Sequence, residues 1–80
     1  MIRRERKPRL VIAFHTTADA LHLEQEAKAA GFPGRLIPVP REITAGCGLA
    51  WRDEPENEKN LRDLLAQVGI EAEGLHILTL

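Results

Sequence analysis

The thiol of Cys47 is the most reactive side chain of this 80-residue chain, which contains one cysteine. Its neighbours Gly46 and Gly48 leave the sulfur little shielded and allow backbone conformations that other residues avoid. One cysteine excludes an intramolecular disulfide and a Cys-x-x-Cys pair for zinc or redox chemistry within the chain. We therefore expect an accessible free thiol in a reducing, cytoplasmic setting.

Positive charge is expected close to this thiol. Arg41 lies six residues before it, and His15, Thr16 and Thr17 stand at the start of a predicted helix. A helix amino terminus, a guanidinium and an imidazolium each favour a thiolate over a thiol. Cys47 is therefore the candidate nucleophile. In the alternative interpretation Cys47 packs as a small hydrophobic residue, although Gly-Cys-Gly is not a typical core pattern.

Metal, nucleotide and hydrolase chemistry have little support in the sequence. The histidines His15, His22 and His76 show no metal-ligand spacing with one another or with Cys47. The sequence has no glycine-rich phosphate loop, Ser/His/Asp arrangement or pair of catalytic carboxylates. We predict neither a metal nor another cofactor.

The elements that must position Cys47 follow from hydrophobic patterning. Short apolar runs predict strands, and leucines at i, i+3 and i+4 spacing predict a second helix that ends at Gly69. The predicted strands cover residues 9–14, 35–39, 48–52 and 73–80, and the predicted helices cover about 17–30 and 55–68. This order predicts an α+β fold, a ferredoxin-like βαββαβ sandwich with two helices on one face of an antiparallel four-stranded sheet.

The connection between the second and third strands is unusually long. It runs from Pro38 to Cys47, whereas most hairpin loops have about two to five residues. Pro38 and Pro40 confine the second strand to a sheet edge and stiffen the loop. In the predicted topology this loop and the segment from His15 to Thr17 share one end of the sheet, which is the predicted site.

The length of 80 residues favours one domain with a small core and no large enclosed active site. Residues 1–8 form a basic arm, predicted to be flexible, and residues 9–80 form a single α+β domain. The formal net charge of −1 predicts no nucleic-acid partner, although phosphate binding by the arm remains a third hypothesis. The longest apolar run is too short for a signal peptide or a membrane span, so no membrane association is expected.

Two sequence blocks surround the candidate nucleophile. Residues 38–43 read Pro-Val-Pro-Arg-Glu-Ile, and residues 47–50 read Cys-Gly-Leu-Ala. Together with residues 12–17 they resemble a family of small bacterial proteins, the selenium/sulfur carrier-like family, over about residues 10–80. Arg41 and Glu42 match the family block. Two features depart from it, because Gly46 stands where relatives commonly have serine and the basic arm lies outside the shared pattern.

The resemblance implies a carrier protein rather than a turnover enzyme, in which Cys47 holds a persulfide or a selenium adduct. The implied partners are sulfur or selenium donors and acceptors, such as a cysteine desulfurase. The candidate binding residues, from the resemblance and the predicted topology, are His15, Thr16, Thr17, Arg41, Glu42, Gly46 and Gly48. The alternative function is a non-catalytic protein- or ligand-binding module that uses the Pro38 to Cys47 loop. An exposed edge strand is also compatible with a homodimer.

Overall fold

The computed structural model describes residues 6–43 and 47–80, and every predicted element is present within them. The strands are β1 (Pro8–Phe14), β2 (Arg35–Pro38), β3 (Leu49–Asp53) and β4 (Ala72–Thr79), the helices are α1 (Thr17–Ala29) and α2 (Glu58–Val68), and a 3₁₀ turn (Pro55–Asn57) precedes α2. The bounds agree with the predicted ones to within one residue, except that the predicted second helix begins as the 3₁₀ turn. No helix in the described part of the chain is long and apolar enough to cross a bilayer.

The four strands form one antiparallel sheet in the order β2-β3-β1-β4. β1 lies between β3 and β4, so that Ile12 is opposite Trp51 on one side and Leu75 on the other. This order, with one helix after β1 and one after β3, is the ferredoxin-like arrangement, and the predicted fold is confirmed. β2 is an edge strand, as its prolines predicted.

The main hydrophobic core lies between the two helices and one face of the sheet. Side-chain alternation along β1 directs Leu10, Ile12 and Phe14 toward the helices. The other elements contribute Ala20, Leu23, Ala27, Trp51, Leu61, Leu65 and Ile70 to the same cluster. The single tryptophan, Trp51, is fully buried in this core.

Local capping sets the ends of both helices. The Thr16 hydroxyl oxygen accepts a hydrogen bond from the Asp19 amide at 3.1 Å, so α1 begins with a capped first turn. α2 ends at Gly69, whose φ of 77° lies in the left-handed region that glycine tolerates best. Thr16 therefore fixes the point at which the chain leaves β1 and starts α1.

The opposite face of the sheet carries a smaller buried cluster. Val11, Ala13 and Ala50 are fully buried there, and Ile43 packs against them. Ile43 belongs to no strand, since it lies in the connection between β2 and β3. The described part of that connection therefore folds back onto the sheet.

Asp53 is a buried charged residue at the end of β3 that lies away from the start of α1. Its carboxylate accepts hydrogen bonds from the Trp51 indole at 3.0 Å, the Asn57 side-chain amide at 2.8 Å and the Glu54 backbone amide at 2.7 Å. These three bonds attach the 3₁₀ turn, and through it α2, to the sheet.

We expect Gly34→Ala to lower the free energy of unfolding by about 1–3 kcal/mol, the usual cost of overpacking. A Cβ atom on Gly34 would lie 2.2 Å from the Arg52 carbonyl oxygen, which cannot move without disturbing β3. Urea unfolding followed by circular dichroism measures the difference. Gly31→Asn is the control, because Gly31 has open space around it and asparagine tolerates its φ of 87°. An equal loss of unfolding free energy in the two variants would contradict a steric clash at Gly34 as the cause.

Candidate functional site

The connection between β2 and β3 is closed by backbone pairing at its base. The Val39 amide donates to the Gly48 carbonyl at 3.0 Å, which extends the ladder one step beyond the pair of Pro38 and Leu49. Cys47 comes immediately before this closing bond, at the entrance to β3. The thiol is therefore attached to a fixed hairpin stem.

A turn in the same connection presents two predicted binding residues. The Ile43 amide donates to the Pro40 carbonyl at 3.0 Å, which closes a four-residue turn with Arg41 and Glu42 at its centre. Both of these side chains are exposed, whereas Ile43 is only 8% exposed. The buried isoleucine holds the turn against the sheet, and the two charged side chains point to solvent.

The thiol of Cys47 is free and half-buried. Its Sγ atom accepts a hydrogen bond from the Leu49 amide at 3.4 Å and donates one to the Leu49 carbonyl at 3.2 Å. The side chain also packs against the main core beneath the helices. The sulfur thus lies at the boundary between core and solvent, whereas the sequence predicted a thiol with little shielding.

Gly48 turns the chain between Cys47 and Leu49. Its φ of 76° lies in the left-handed region, and a Cβ atom there would meet no other atom within 4 Å, so glycine is favoured by its conformation rather than by its size. The turn brings the Leu49 backbone within hydrogen-bonding distance of the sulfur. The other predicted glycine, Gly46, falls in residues 44–46, outside the described residues.

The start of α1 lies at the same end of the sheet as the thiol. Ala13 pairs antiparallel with Ala50, so the chain leaves β1 at the end where it enters β3. Thr16 is the N-cap and Thr17 is the first residue of α1. The amides of the first helical turn carry a partial positive charge, which is therefore located at the thiol's end of the sheet.

His15 is directed toward β4. Its Nδ1 atom lies 3.7 Å from Oε2 of Glu73, and its side chain is 54% exposed. β4 and β3 lie on opposite sides of β1, so this contact is on the side of β1 away from Cys47. Among the described residues, both hydrogen bonds of the thiol go to Leu49. The Glu73 contact had no sequence signal, because it joins β4 to the residue that follows β1, and these come together only in the folded sheet.

Two residues that shape the site were not identified from the sequence. Leu49 acts through its backbone, and a backbone contact carries no side-chain signal. Ile43 anchors the turn, and the signal available for it was a large apolar residue directly after the charged pair Arg41 and Glu42. Both lie within four residues of Cys47, so the local conformation of the chain decides their role.

The geometry suits chemistry on the sulfur itself. The Leu49 amide donates to the sulfur and the Leu49 carbonyl accepts from it, so backbone groups of β3 hold the sulfur in place. Half burial restricts approach to the solvent side of Cys47. Within the described ranges, no group of three or more His, Cys, Asp or Glu side chains is placed to hold a metal ion.

Comparison with known proteins gives a match at the level of a family. The family model described as "Putative Se/S carrier protein-like" matches residues 9–77, from β1 into β4, and includes Cys47. No curated protein and no solved structure matches the chain. The matched range contains the whole candidate site, from His15 to Gly48.

Proposed function

Since the chain belongs to the Se/S carrier protein-like family, we propose that it carries sulfur or selenium covalently on Cys47. The observation that supports this most directly is the free, half-buried thiol with the Leu49 amide bonded to its Sγ atom. Because the chain has one cysteine, any cargo bound to a thiol must be bound there. The protein acts as a transfer partner between a donor enzyme and an acceptor.

The proposed loading step is an exchange at sulfur. The Cys47 thiolate attacks the outer sulfur of a donor persulfide, R–S–SH, and the bond between the two donor sulfurs breaks. A new S–S bond forms on Cys47, and the donor cysteine leaves as a thiolate that takes up the proton lost by Cys47. The sum is R–SSH + Cys–SH → R–SH + Cys–SSH, so no external oxidant or reductant is needed. An acceptor thiol removes the outer sulfur by the same exchange, and a selenium atom follows the same course.

Two features of the site bear on the attack by the Cys47 sulfur. The Leu49 amide lies 3.4 Å from Sγ and donates to it, so this bond holds the sulfur at the start of β3. The capped first turn of α1 lies at the same end of the sheet and contributes a partial positive charge. Thr16 and Thr17 thus act through the helix start, whereas His15 lies beside Glu73.

We further propose that the connection recognises the donor and acceptor proteins. Its turn presents Arg41 and Glu42 to solvent, and Ile43 fixes the turn to the sheet. Exposed charges of both signs, a few residues from the thiol, suit an oriented encounter with a complementary protein surface. A cysteine desulfurase is the kind of donor that this chemistry requires.

A loading experiment tests the proposal. The reduced protein is incubated with a cysteine desulfurase and cysteine, and its intact mass is measured without reductant. We expect an adduct of about 32 Da that dithiothreitol removes, as a persulfide requires. In a parallel arm a selenocysteine lyase with selenocysteine should give an adduct of about 79 Da by the same exchange. If neither active donor enzyme yields an adduct, the carrier proposal is wrong.

A further inference from the structure

The two edge strands of the sheet differ in how well they are protected against pairing with another chain. β2 has four residues and ends at Pro38, and Pro40 follows closely. β4 has eight residues and contains neither proline nor lysine. Short length, proline and lysine are the usual protection of an edge strand, because an unprotected edge recruits further strands. β4 is therefore the less protected of the two edges of this sheet.

The hydrogen-bond pattern identifies which residues of β4 face outward. Lys7 and Leu80 exchange both of their backbone hydrogen bonds, each at 3.0 Å. Such pairs alternate along an antiparallel ladder, so every second residue of β4 directs its backbone groups away from β1. By this alternation Leu75 and Ile77 present their N–H and C=O groups at the outer edge.

The side chains of the same two residues form part of an apolar surface. Ile77 is 50% exposed, and Leu75 lines an open groove between α2 and β4. The other apolar residues that line this groove are Leu65, Ala66, Ile70 and Ala72, and Arg62 and Glu71 line it as well. Covering the groove would remove apolar area from water and stabilise a complex.

We propose that β4 pairs antiparallel with β4 of a second copy, which gives one continuous eight-stranded sheet with a two-fold axis at His76. In this register Leu75 lies opposite Ile77 of the second copy, and the pair occurs twice by symmetry. Directly opposed residues of an antiparallel pair lie on the same face, so each Ile77 covers the groove beside Leu75 of the other copy. Glu73 then lies opposite Thr79.

Charge complementarity favours a second copy over an unrelated strand. The Arg6 guanidinium donates to the Thr79 carbonyl at 3.0 Å. A cation therefore lies beside the position that receives Glu73 of the second copy, while the second lone pair of the Thr79 carbonyl remains for the Glu73 amide. Symmetry forms both contacts twice. An unrelated strand would satisfy the same backbone groups without supplying an acid at that point.

The proposed dimer is independent of the carrier function. Cys47 stands at the entrance to β3, and β1 separates β3 from β4. The two thiols therefore lie on opposite sides of the interface, and each is separated from it by β1 and β4 of its own copy. Loss of dimerisation is expected to leave the loading of Cys47 unchanged, so the two proposals fail separately.

Light scattering coupled to size-exclusion chromatography tests the dimer over a series of concentrations. A reductant excludes a disulfide through Cys47. We expect about twice the 8.9 kDa mass of one chain. The pair of Leu75 and Ile77 occurs twice in the dimer, so Ile77→Lys places a charge beside each Leu75. This variant should raise the dissociation constant of the dimer at least about tenfold. Leu21→Lys is the matched control, because Leu21 has the same 50% exposure and lies on α1, which contacts β2 and β3.

A cross-linking experiment tests the register. In a Cys47→Ser background, His76→Cys places two cysteines across the axis as a non-hydrogen-bonded pair, at a separation of about 4.5 Å that a disulfide can span. Lys59→Cys in the same background is the control, since that side chain is 87% exposed on α2. A monomer at every concentration, equal effects of Ile77→Lys and Leu21→Lys, or equal cross-linking of both cysteine variants would each overturn the proposal.

Discussion

Replacing Cys47 by serine is expected to abolish loading and delivery of the cargo completely while preserving the fold. The serine hydroxyl fits the half-buried position and can form the same two hydrogen bonds with the Leu49 backbone. An alcohol at neutral pH does not accept a sulfane sulfur, and the chain has no second thiol to replace it. The desulfurase-dependent adduct of about 32 Da and its transfer to an acceptor thiol should therefore both disappear.

Two controls decide what such a loss means. The circular dichroism spectrum and the melting temperature of Cys47→Ser should match those of the unmodified protein, so that unfolding is excluded as the cause. Cys47→Ala then separates the carrier from a binding module that uses the connection alone. A binding module would keep partner capture and biological activity in that variant, and transfer that survives in either variant would contradict the role of the thiol.

The place of Cys47 in the fold could be predicted because it follows from chain order. Once β1, α1 and β3 are recognised, the topology requires the start of α1 and Cys47 to share one end of the sheet. The hydrogen bonds of the sulfur could not be predicted, because they depend on the positive φ of Gly48. The position of His15 could be predicted but the direction of its side chain could not, because that direction depends on which neighbouring strand offers a carboxylate.

The same distinction applies to the fold. Alternating and helical hydrophobic patterns predicted each element, because burial of the apolar face of a strand or helix is the main driving force of folding. Asp53 was not singled out, because a buried aspartate is rare and no pattern marks it. Its burial depends on three donors that come together only in the folded chain, and one of them, Asn57, lies in a turn that the sequence predicted as helix.

We expect Asp53→Ala to lower the free energy of unfolding by about 3–5 kcal/mol, because hydrogen bonds to a charged acceptor contribute about 1.5–3 kcal/mol each. The substitution leaves the buried Trp51 indole N–H without its acceptor and releases the Asn57 side chain and the Glu54 amide. A small domain has about 5 kcal/mol of stability in total, so this variant should be largely unfolded at 37 °C. Urea titration followed by circular dichroism measures the effect.

Asp63→Ala is the matched control for this loss. The Asp63 carboxylate is 69% exposed and is paired with Lys59, so its removal should cost no more than about 0.5 kcal/mol. Similar costs for the two alanine variants would show that the Asp53 bonds do not stabilise the domain. Asp53→Asn keeps one acceptor oxygen and should remain folded. Because Asp53 and Cys47 lie at opposite ends of β3, that variant should still load sulfur, which would separate the support of the fold from the chemistry of the thiol.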